Sequence, residues 1–288
     1  MEGIGKLIVP EAIQEEMSKR QSRLASVTQE QKKPSNGDLP GYECDRCQDN
    51  GYIYDPDREV AYPCQCMERK KLKKLLKSCN ISDEFIHKNF DNFDIKGADR
   101  RKVHAYNIAR EYSNGLVARV KRGESLKGAP WIGLLGTSGS GKTHLVTATA
   151  IPLIELGIYP IFFNWVQSFS EWMAYYNKPD EAYKVDEIRQ KLYTCDLLIV
   201  DDVCKESQKD TWIKEFYGLV DYRYRKQLPI IYTSEYFYQL IGFLSKATAG
   251  RLFEKTKNPH TGKMYLGKMI LAEDEDPLAL DYRFKGIL

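Results

Sequence analysis

The segment "WIGLLGTSGSGKTHL" (residues 131–145) constrains the fold of this chain more than any other part of its sequence. An apolar run leads into a glycine-rich turn that fits G-x-x-x-x-G-K-[ST] at every position, and a stretch compatible with a helix follows. Such a turn directs backbone N–H groups at phosphate oxygens, and the helix N-terminus adds a favourable dipole. The sequence therefore predicts a phosphate-binding loop between a buried strand and a helix. The loop consists of Gly136, Thr137, Ser138, Gly139, Ser140, Gly141, Lys142 and Thr143.

Two side chains of the loop and one acidic pair predict the contacts of a magnesium nucleotide. Lys142 is expected to reach the β- and γ-phosphates of ATP, and the Thr143 hydroxyl to bind Mg²⁺. The apolar run in "CDLLIVDDVC" predicts a buried strand that emerges at Asp201 and Asp202. We expect Asp201 to bind Mg²⁺ through water and Asp202 to act as the general base on the attacking water. A plain surface turn is the alternative for paired acids, and the nearby phosphate loop argues against it.

Strand and helix signals alternate from about Gly97 onward, which predicts a parallel sheet covered by helices. After the last strand candidate too few residues remain for a separate helical lid. The predicted fold class is therefore α/β, with a five-stranded P-loop ATPase core and no separate lid. The strand candidates are residues 131–136, 159–165, 196–203, 229–235 and 264–271.

Hydroxyl groups and an arginine beyond the acidic pair are further candidates for catalysis. Thr233 and Ser234 end the strand candidate "PIIYTSE", from which they could reach the γ-phosphate or the attacking water. Arg251 lies in "SKATAGRLFEKTK", a helical pattern. Its functional interpretation is an arginine finger that reaches the nucleotide of an adjacent subunit. An ordinary solvated arginine on a helix is an equal alternative.

Four of the seven cysteines cluster within residues 42–67 as C-x2-C-x16-C-x-C. Two short chelating pairs on turns can close a tetrahedral site, in which thiolates bind Zn²⁺ at about 2.3 Å. Because four ligands fill the coordination sphere, the predicted zinc site is structural. Unligated thiols and an iron–sulfur cluster are the alternatives. The predicted zinc ligands are Cys44, Cys47, Cys64 and Cys66.

Composition excludes several classes of protein. No stretch approaches the roughly 18 apolar residues of a membrane span, and the N-terminus lacks the pattern of a secretory signal. Together with the odd number of cysteines, this favours a reducing, cytoplasmic location. The net charge of +3 is too small to indicate nucleic-acid binding by itself.

The order of these motifs resembles the DnaC/DnaI-type helicase loaders of bacteria and phages. These are AAA+ ATPases in the group that also contains the IstB transposition helper proteins. The resemblance rests on the cysteine module, "CNISDEFIHKNFDNF", "LLGTSGSGKTHL", "DLLIVDDV", "LPIIYTSE" and the terminal "DYR". It covers roughly residues 42–288.

The resemblance assigns family roles to residues of this chain. The phosphate loop and the acidic pair match the family's Walker A and Walker B motifs. Thr233 and Ser234 match the sensor 1 strand, and Arg251 falls in the arginine-finger region. Arg283 lies in the "DYR" where a nucleotide-contacting, sensor 2-like arginine is expected. The sensor 1 position often carries Asn where this chain has Ser234, and Lys255 stands where some loaders have a second finger arginine.

The family implies an N-terminal domain that binds the helicase and an ATPase domain that self-associates and contacts single-stranded DNA. We accordingly predict domains at residues 1–95 and 96–288. Residues 6–33 have an amphipathic pattern, and residues 32–41 have the composition of a linker. The basic segment 68–77 is either a helix that packs under the zinc site or a face that contacts a partner or DNA.

The function implied by the resemblance is loading of a hexameric replicative helicase onto single-stranded DNA. ATP, Mg²⁺ and Zn²⁺ are the implied cofactors, and the ATP hydrolysis is expected to be slow and stimulated by DNA. One alternative is an IstB-like transposition helper. Another is an adaptor that binds ATP as a switch with negligible turnover, and a third is an unrelated P-loop enzyme.

Overall fold

The structure, a computed structural model, describes residues 44–284 apart from 57, 68, 69, 72, 73, 75–78, 80, 82–84, 86, 177, 207, 208 and 277. The chain divides into two compact units, Met1–Leu72 and Lys73–Leu288. The amphipathic pattern at 6–33 and the linker at 32–41 lie outside the described residues, as does most of the basic segment 68–77. The predicted domain boundary at 95/96 stays a prediction.

The described part of the first unit is a small antiparallel hairpin. Strand β1, Tyr52–Asp55, pairs with β2, Val60–Pro63, with Tyr52 opposite Pro63. A turn at Cys47, closed by the Asn50 N–H bond to its carbonyl, precedes β1, and Cys64 directly follows β2. Because the strands are antiparallel, both cysteine pairs lie at the same end of the hairpin.

The second unit contains a five-stranded sheet in the order β4-β5-β6-β3-β7, in which all neighbouring strands are parallel. The predicted parallel α/β core is therefore confirmed, and each strand lies within its predicted segment. The strands are β3 (Ile132–Gly136), β4 (Ile161–Asn164), β5 (Leu198–Asp201), β6 (Ile230–Ser234) and β7 (Leu266–Met269).

Helices fill the connections between these strands. After β7 the described residues contain no α-helix, and their one helical element is the 3₁₀ turn Tyr282–Phe284. None of the described helices is long and apolar enough to cross a lipid bilayer. The helices are α1 (Arg100–Lys121), α2 (Lys142–Glu155), α3 (Trp165–Ala174), α4 (Ala182–Thr194), α5 (Asp210–Lys226), α6 (Leu240–Leu244) and α7 (Lys246–Lys255).

The central strands are buried because helices cover both faces of the sheet. Every residue of β3, β5 and β6 is buried, which explains their nearly continuous apolar runs. Close packing also selects residues within the sheet. A Cβ on Gly133 of β3 would lie 2.6 Å from the ring of Tyr232 on β6, so a larger residue at this position would require the buried tyrosine to shift.

The strand order brings three strand ends together. Because all strands are parallel, their carboxyl ends lie at one edge of the sheet, which is where ligands bind in such folds. Strand β6 lies between β3 and β5. The end of β6 is therefore placed between the phosphate loop after β3 and the acidic pair after β5.

Candidate nucleotide-binding site

The phosphate loop has a backbone that requires glycine at three positions, the first of them Gly136, where a Cβ would lie 2.0 Å from the Met269 carbonyl oxygen. Gly139 and Gly141 have φ values of 67° and 95°, in the left-handed region. A Cβ on Gly139 would lie 2.0 Å from Oδ1 of Asp281, and one on Gly141 would lie 2.6 Å from the Phe93 ring. Helix α2 begins directly after Gly141, at Lys142. The predicted arrangement of strand, glycine loop and helix is thus present.

Lys142 lies inside the loop with its ammonium group directed at backbone oxygens. Its Nζ donates to the carbonyls of Gly136 and Thr137, both at 2.9 Å, and the residue is 4% exposed. Burial lowers the pKa of Lys142, and the carboxylates of Asp202 and Glu235 act against that shift. Anionic phosphate oxygens are stronger acceptors for this ammonium than neutral carbonyls are.

The Thr143 hydroxyl and the Asp201 carboxylate form the predicted magnesium pair. Thr143 Oγ1 donates to Asp201 Oδ2 at 2.9 Å, and Thr233 Oγ1 donates to Asp201 Oδ1 at 2.6 Å. Burial raises the pKa of Asp201 to about 6, and the neighbouring Asp202 adds to this shift. Hard oxygen donors in contact with each other are the ligands that Mg²⁺ prefers. A bound cation would neutralise charge on the phosphates and favour the ionised carboxylate.

Asp202 follows β5 with a left-handed backbone, φ 60°. Its side chain lines a pocket that Lys142 and Thr143 also line. Its N–H donates to Thr233 Oγ1 at 2.8 Å, so one threonine contacts both acidic residues. Its carboxylate forms an ion pair with Lys205, in which Oδ2 and Nζ are 3.1 Å apart. Lys205 also lies 3.2 Å from Oε1 of Glu235.

The C-terminal turn of the described chain contacts the phosphate loop. The N–H of Tyr282 donates to the Gly139 carbonyl at 3.2 Å, and Arg283 Nη2 donates to Ser138 Oγ at 3.2 Å. Arg283 Nε also donates to Asp281 at 2.8 Å, and this ion pair lowers the pKa of Asp281. Arg283 is therefore located at the pocket, where the resemblance placed a nucleotide-contacting arginine.

Residues before α1 cover the first turn of α2. His144 Nε2 is 2.8 Å from the Asn89 carbonyl, and its ring meets the Phe93 ring edge-on at 5.0 Å. Phe93 in turn stacks on Tyr106 of α1. Phe85 and Lys88 of the same segment line the phosphate pocket, which the motif analysis did not predict.

One open pocket lies at the carboxyl edge of the sheet, and Lys142, Thr143 and Asp202 are among its lining residues. It contains predicted residues together with several that the sequence motifs missed. The missed residues have no motif of their own, although Glu235 directly follows β6 and Lys205 lies in the turn after β5. The lining residues are Phe85, Lys88, Ser138, Gly139, Gly141, Lys142, Thr143, His144, Asp202, Lys205, Glu235, Tyr282 and Arg283.

Ser234 and Arg251 do not line this pocket. The Ser234 hydroxyl is buried, donates to the Val203 carbonyl at 2.7 Å and accepts from the Tyr236 N–H at 3.1 Å. Its hydrogen bonds therefore connect β6 to the turn after β5.

Arg251 lies on α7 and contacts α5 of the same chain. Its Nη2 is 2.9 Å from Oδ1 of Asp221, and its guanidinium lies 5.5 Å from the ring centres of both Tyr217 and Tyr224. Lys255, one turn further along α7, lies 4.7 Å from the Tyr224 ring centre. A role of either residue at a nucleotide requires a second copy of the chain, and it stays a prediction.

The four clustered thiols of the hairpin unit have the spacing of a tetrahedral metal site. All four Sγ atoms lie within 4.8 Å of one another, with Cys44 and Cys64 at 3.7 Å and Cys47 and Cys66 at 3.3 Å. Tetrahedral Zn²⁺ would hold its sulfurs about 3.8 Å apart. The Cys47 backbone N–H lowers the pKa of the Cys44 thiol to about 7, which favours a thiolate ligand. The residues present fit zinc.

Comparison with known proteins agrees with this geometry. The profile of the family described as "IstB-like ATP binding protein" matches residues 67–248. This chain belongs to the IstB-like ATP-binding family. A relative of this chain, the phage-like element PBSX protein XkdC of Bacillus subtilis (strain 168), is 30% identical to it over 233 residues, which is 77% of this chain and 82% of that protein.

A solved structure shows the same fold for this IstB-like protein. The crystal structure of the DnaC helicase loader matches with a TM-score of 0.53 and 17% identity, over 65% of this chain and 99% of that one. The crystal structure of DnaI matches with a TM-score of 0.48 and 16% identity, over 68% of this chain and 94% of that one. The predicted membership of the IstB/DnaC-like group, with its AAA+ P-loop fold, is confirmed.

Proposed function

We propose that this protein is an ATP-dependent loader that places a hexameric replicative helicase on single-stranded DNA. The observation that carries the proposal is a pocket lined by Lys142, Thr143 and Asp202 in a chain of the IstB-like family, in which Thr143 also donates to the buried Asp201 carboxylate. The fold shared with a DnaC helicase loader and the phage-like relative support the choice of process.

In the proposed reaction each group of the pocket has a separate task. Lys142 and the N–H groups of the loop bind the β- and γ-phosphates, and Thr143 with Asp201 holds Mg²⁺. Asp202 accepts a proton from the attacking water while the bond between the γ-phosphorus and the bridging oxygen breaks, which yields ADP and phosphate. Arg283 adds positive charge beside Ser138 of the loop.

The hairpin unit is proposed as the surface that binds the helicase. A segment this small buries little apolar area, so zinc supplies much of its folding free energy. The strands of the hairpin expose Tyr52, Ile53 and Tyr62, each at least 39% exposed. Aromatic side chains on a small rigid scaffold suit a protein interface.

A second candidate is an adaptor that binds ATP but hydrolyses it negligibly. Two observations favour it. The Ser234 hydroxyl donates to the Val203 carbonyl and the Asp202 carboxylate pairs with Lys205, so neither group is free to contact an attacking water. Measured turnover with and without single-stranded DNA separates this candidate from the loader. An IstB-like transposition helper is the other alternative, and it would not bind a replicative helicase.

The proposal is tested by mixing the full chain with a candidate replicative helicase and single-stranded DNA, with ATP or with ADP. We expect a complex of defined mass whose amount depends on the nucleotide, measured by light scattering after gel filtration. Lys142→Ala is the matched variant in which this dependence should disappear. No complex with any replicative helicase of the source cell, at micromolar concentrations of both proteins, would reject the loader function.

A further inference from the structure

Lys205 is a cation of the phosphate pocket that no motif explains. Its ammonium bridges Asp202 Oδ2 at 3.1 Å and Glu235 Oε1 at 3.2 Å, and its side chain is 30% exposed. Surface ion pairs contribute little to stability and usually need no functional explanation. This ammonium is different because both its partners and Lys142 line one phosphate pocket.

The backbone around Lys205 is shaped to keep it in the pocket. Asp202 and Cys204 have φ values of 60° and 66°, and the Lys205 N–H donates to the Asp202 carbonyl at 3.0 Å. The turn is attached to β6, since the N–H groups of Asp202 and Val203 both donate to Thr233 at 2.8 Å. Left-handed conformations are unfavourable for non-glycine residues and persist only where such contacts fix them.

The two carboxylates of the pocket give Lys205 a further role, which is to compensate negative charge. Asp202 and Glu235 would both repel the anionic oxygens of a third phosphate. One ammonium between them compensates part of that charge. Lysine is a compact charge on a flexible stem, so it can change acceptors without movement of the backbone.

We infer that Lys205 recognises the γ-phosphate of ATP and positions the general base. Its ammonium exchanges Asp202 for the γ-phosphate when ATP binds, which releases the carboxylate to contact the attacking water. ADP offers no third phosphate, so with ADP the ammonium stays on Asp202 and Glu235. The inference rests on the proposed ATPase function and makes Lys205 the group that distinguishes ATP from ADP.

The proton balance of the step follows from these roles. The attacking water transfers its proton to the Asp202 carboxylate as its oxygen bonds to the γ-phosphorus, and the bridging oxygen leaves with ADP. Lys205 stays protonated and donates hydrogen bonds to the γ-phosphate oxygens throughout. Glu235 keeps the lysine near the pocket and takes no proton.

The test compares the dissociation constants of ADP and of a non-hydrolysable ATP analogue, measured by calorimetry with the full chain. Lys205→Met should weaken binding of the ATP analogue by on the order of tenfold and leave ADP binding within about twofold. The kcat of Lys205→Met for ATP should fall as well. Lys205→Arg should restore much of the preference for the ATP analogue over ADP. Lys214→Met, which removes an exposed lysine of α5, is the matched control and should match the wild type.

A second variant keeps the test decisive if Lys205→Met does not fold. Glu235→Gln removes one of the two carboxylates that compete with the γ-phosphate for Lys205. The ATP analogue should therefore bind a few-fold tighter, while the affinity for ADP should stay unchanged. An unchanged preference for the ATP analogue in the folded variants overturns the inference, as does faster turnover of Lys205→Met with unchanged affinities. A wild-type chain that binds neither nucleotide refutes the proposed function itself.

Discussion

One hydroxyl group, that of Thr233, joins the two acidic side chains of the site. It donates to the Asp201 carboxylate and accepts from the Asp202 N–H, so β6 fixes the position of both residues after β5. The positions of Asp201 and Asp202 therefore depend on β6, and Asp201 is joined to the phosphate loop as well, through the Thr143 hydroxyl. Substitutions in the loop and in the acidic pair should have different effects.

At the scale of single residues, Lys142→Ala and Asp202→Asn should separate binding from hydrolysis. Lys142→Ala removes the ammonium that we propose contacts the phosphates, and we expect ATP affinity to fall by on the order of 100-fold. Asp202→Asn keeps the size of the side chain but cannot accept a proton. ATP affinity should then change by less than about threefold, while turnover falls on the order of 100-fold or more.

Both quantities are measured on the same preparations, affinity by calorimetry and turnover by phosphate release. Lys214→Met serves as the control for each, since it changes an exposed residue outside the pocket. Wild-type turnover by Asp202→Asn would show that another group accepts the proton.

At the scale of elements, the hairpin unit should depend on its metal. We expect about one zinc per chain, lost in the double variant Cys44→Ser, Cys47→Ser. Because a zinc ion would hold the two cysteine pairs together, amide hydrogens of β1 and β2 should exchange at nearly unfolded rates once it is lost. Cys195→Ser, in the other unit, should keep its zinc.

The same double variant tests the proposed role of the hairpin. Metal content is measured by atomic emission, and helicase binding by pull-down. Full binding by a zinc-free chain would contradict the role of the hairpin as the docking surface, whereas nucleotide affinity should remain at the wild-type value.

Helices α5 and α7 hold Arg251 between two tyrosine rings and against Asp221. If this arginine acts on a neighbouring copy, Arg251→Ala should bind ATP normally and lose on the order of 1000-fold of DNA-stimulated turnover. The matched control is Arg225→Ala, since Arg225 pairs with the same carboxylate but has a side chain that is 72% exposed. Equal turnover of the two variants in a phosphate-release assay would remove Arg251 from the mechanism.

Sequence reasoning found the elements of this fold better than the contacts between them. The strands were predictable because a sheet covered on both faces requires continuous apolar runs, and the P-loop because its backbone requires glycines. The contact of Asp281 with Gly139 and the bridge from Lys205 to Glu235 were not predictable. Such contacts join residues distant in the chain, and they depend on turn geometry that has no local signal.

At the scale of the whole molecule, Arg251 lies outside the pocket of its own chain, so it can act on a nucleotide only if two copies share a site. Mixing Arg251→Ala with Asp202→Asn tests this, because neither variant is active alone. An Asp202→Asn copy can supply its arginine to the intact pocket of an Arg251→Ala copy. With random mixing at equal amounts, about a quarter of the interfaces combine both intact parts, so turnover should recover to on the order of a quarter of the wild-type rate.

The control for this mixture replaces Asp202→Asn with the double variant Arg251→Ala, Asp202→Asn, which has no arginine to supply. Phosphate release should then stay at the background of the single variants at every ratio. Equal rates in the two mixtures would mean that each chain hydrolyses ATP with its own residues alone. In the first mixture no single chain carries both Arg251 and Asp202. Recovery in that mixture only would therefore require the chains to assemble with the α7 face of one copy beside the phosphate pocket of the next.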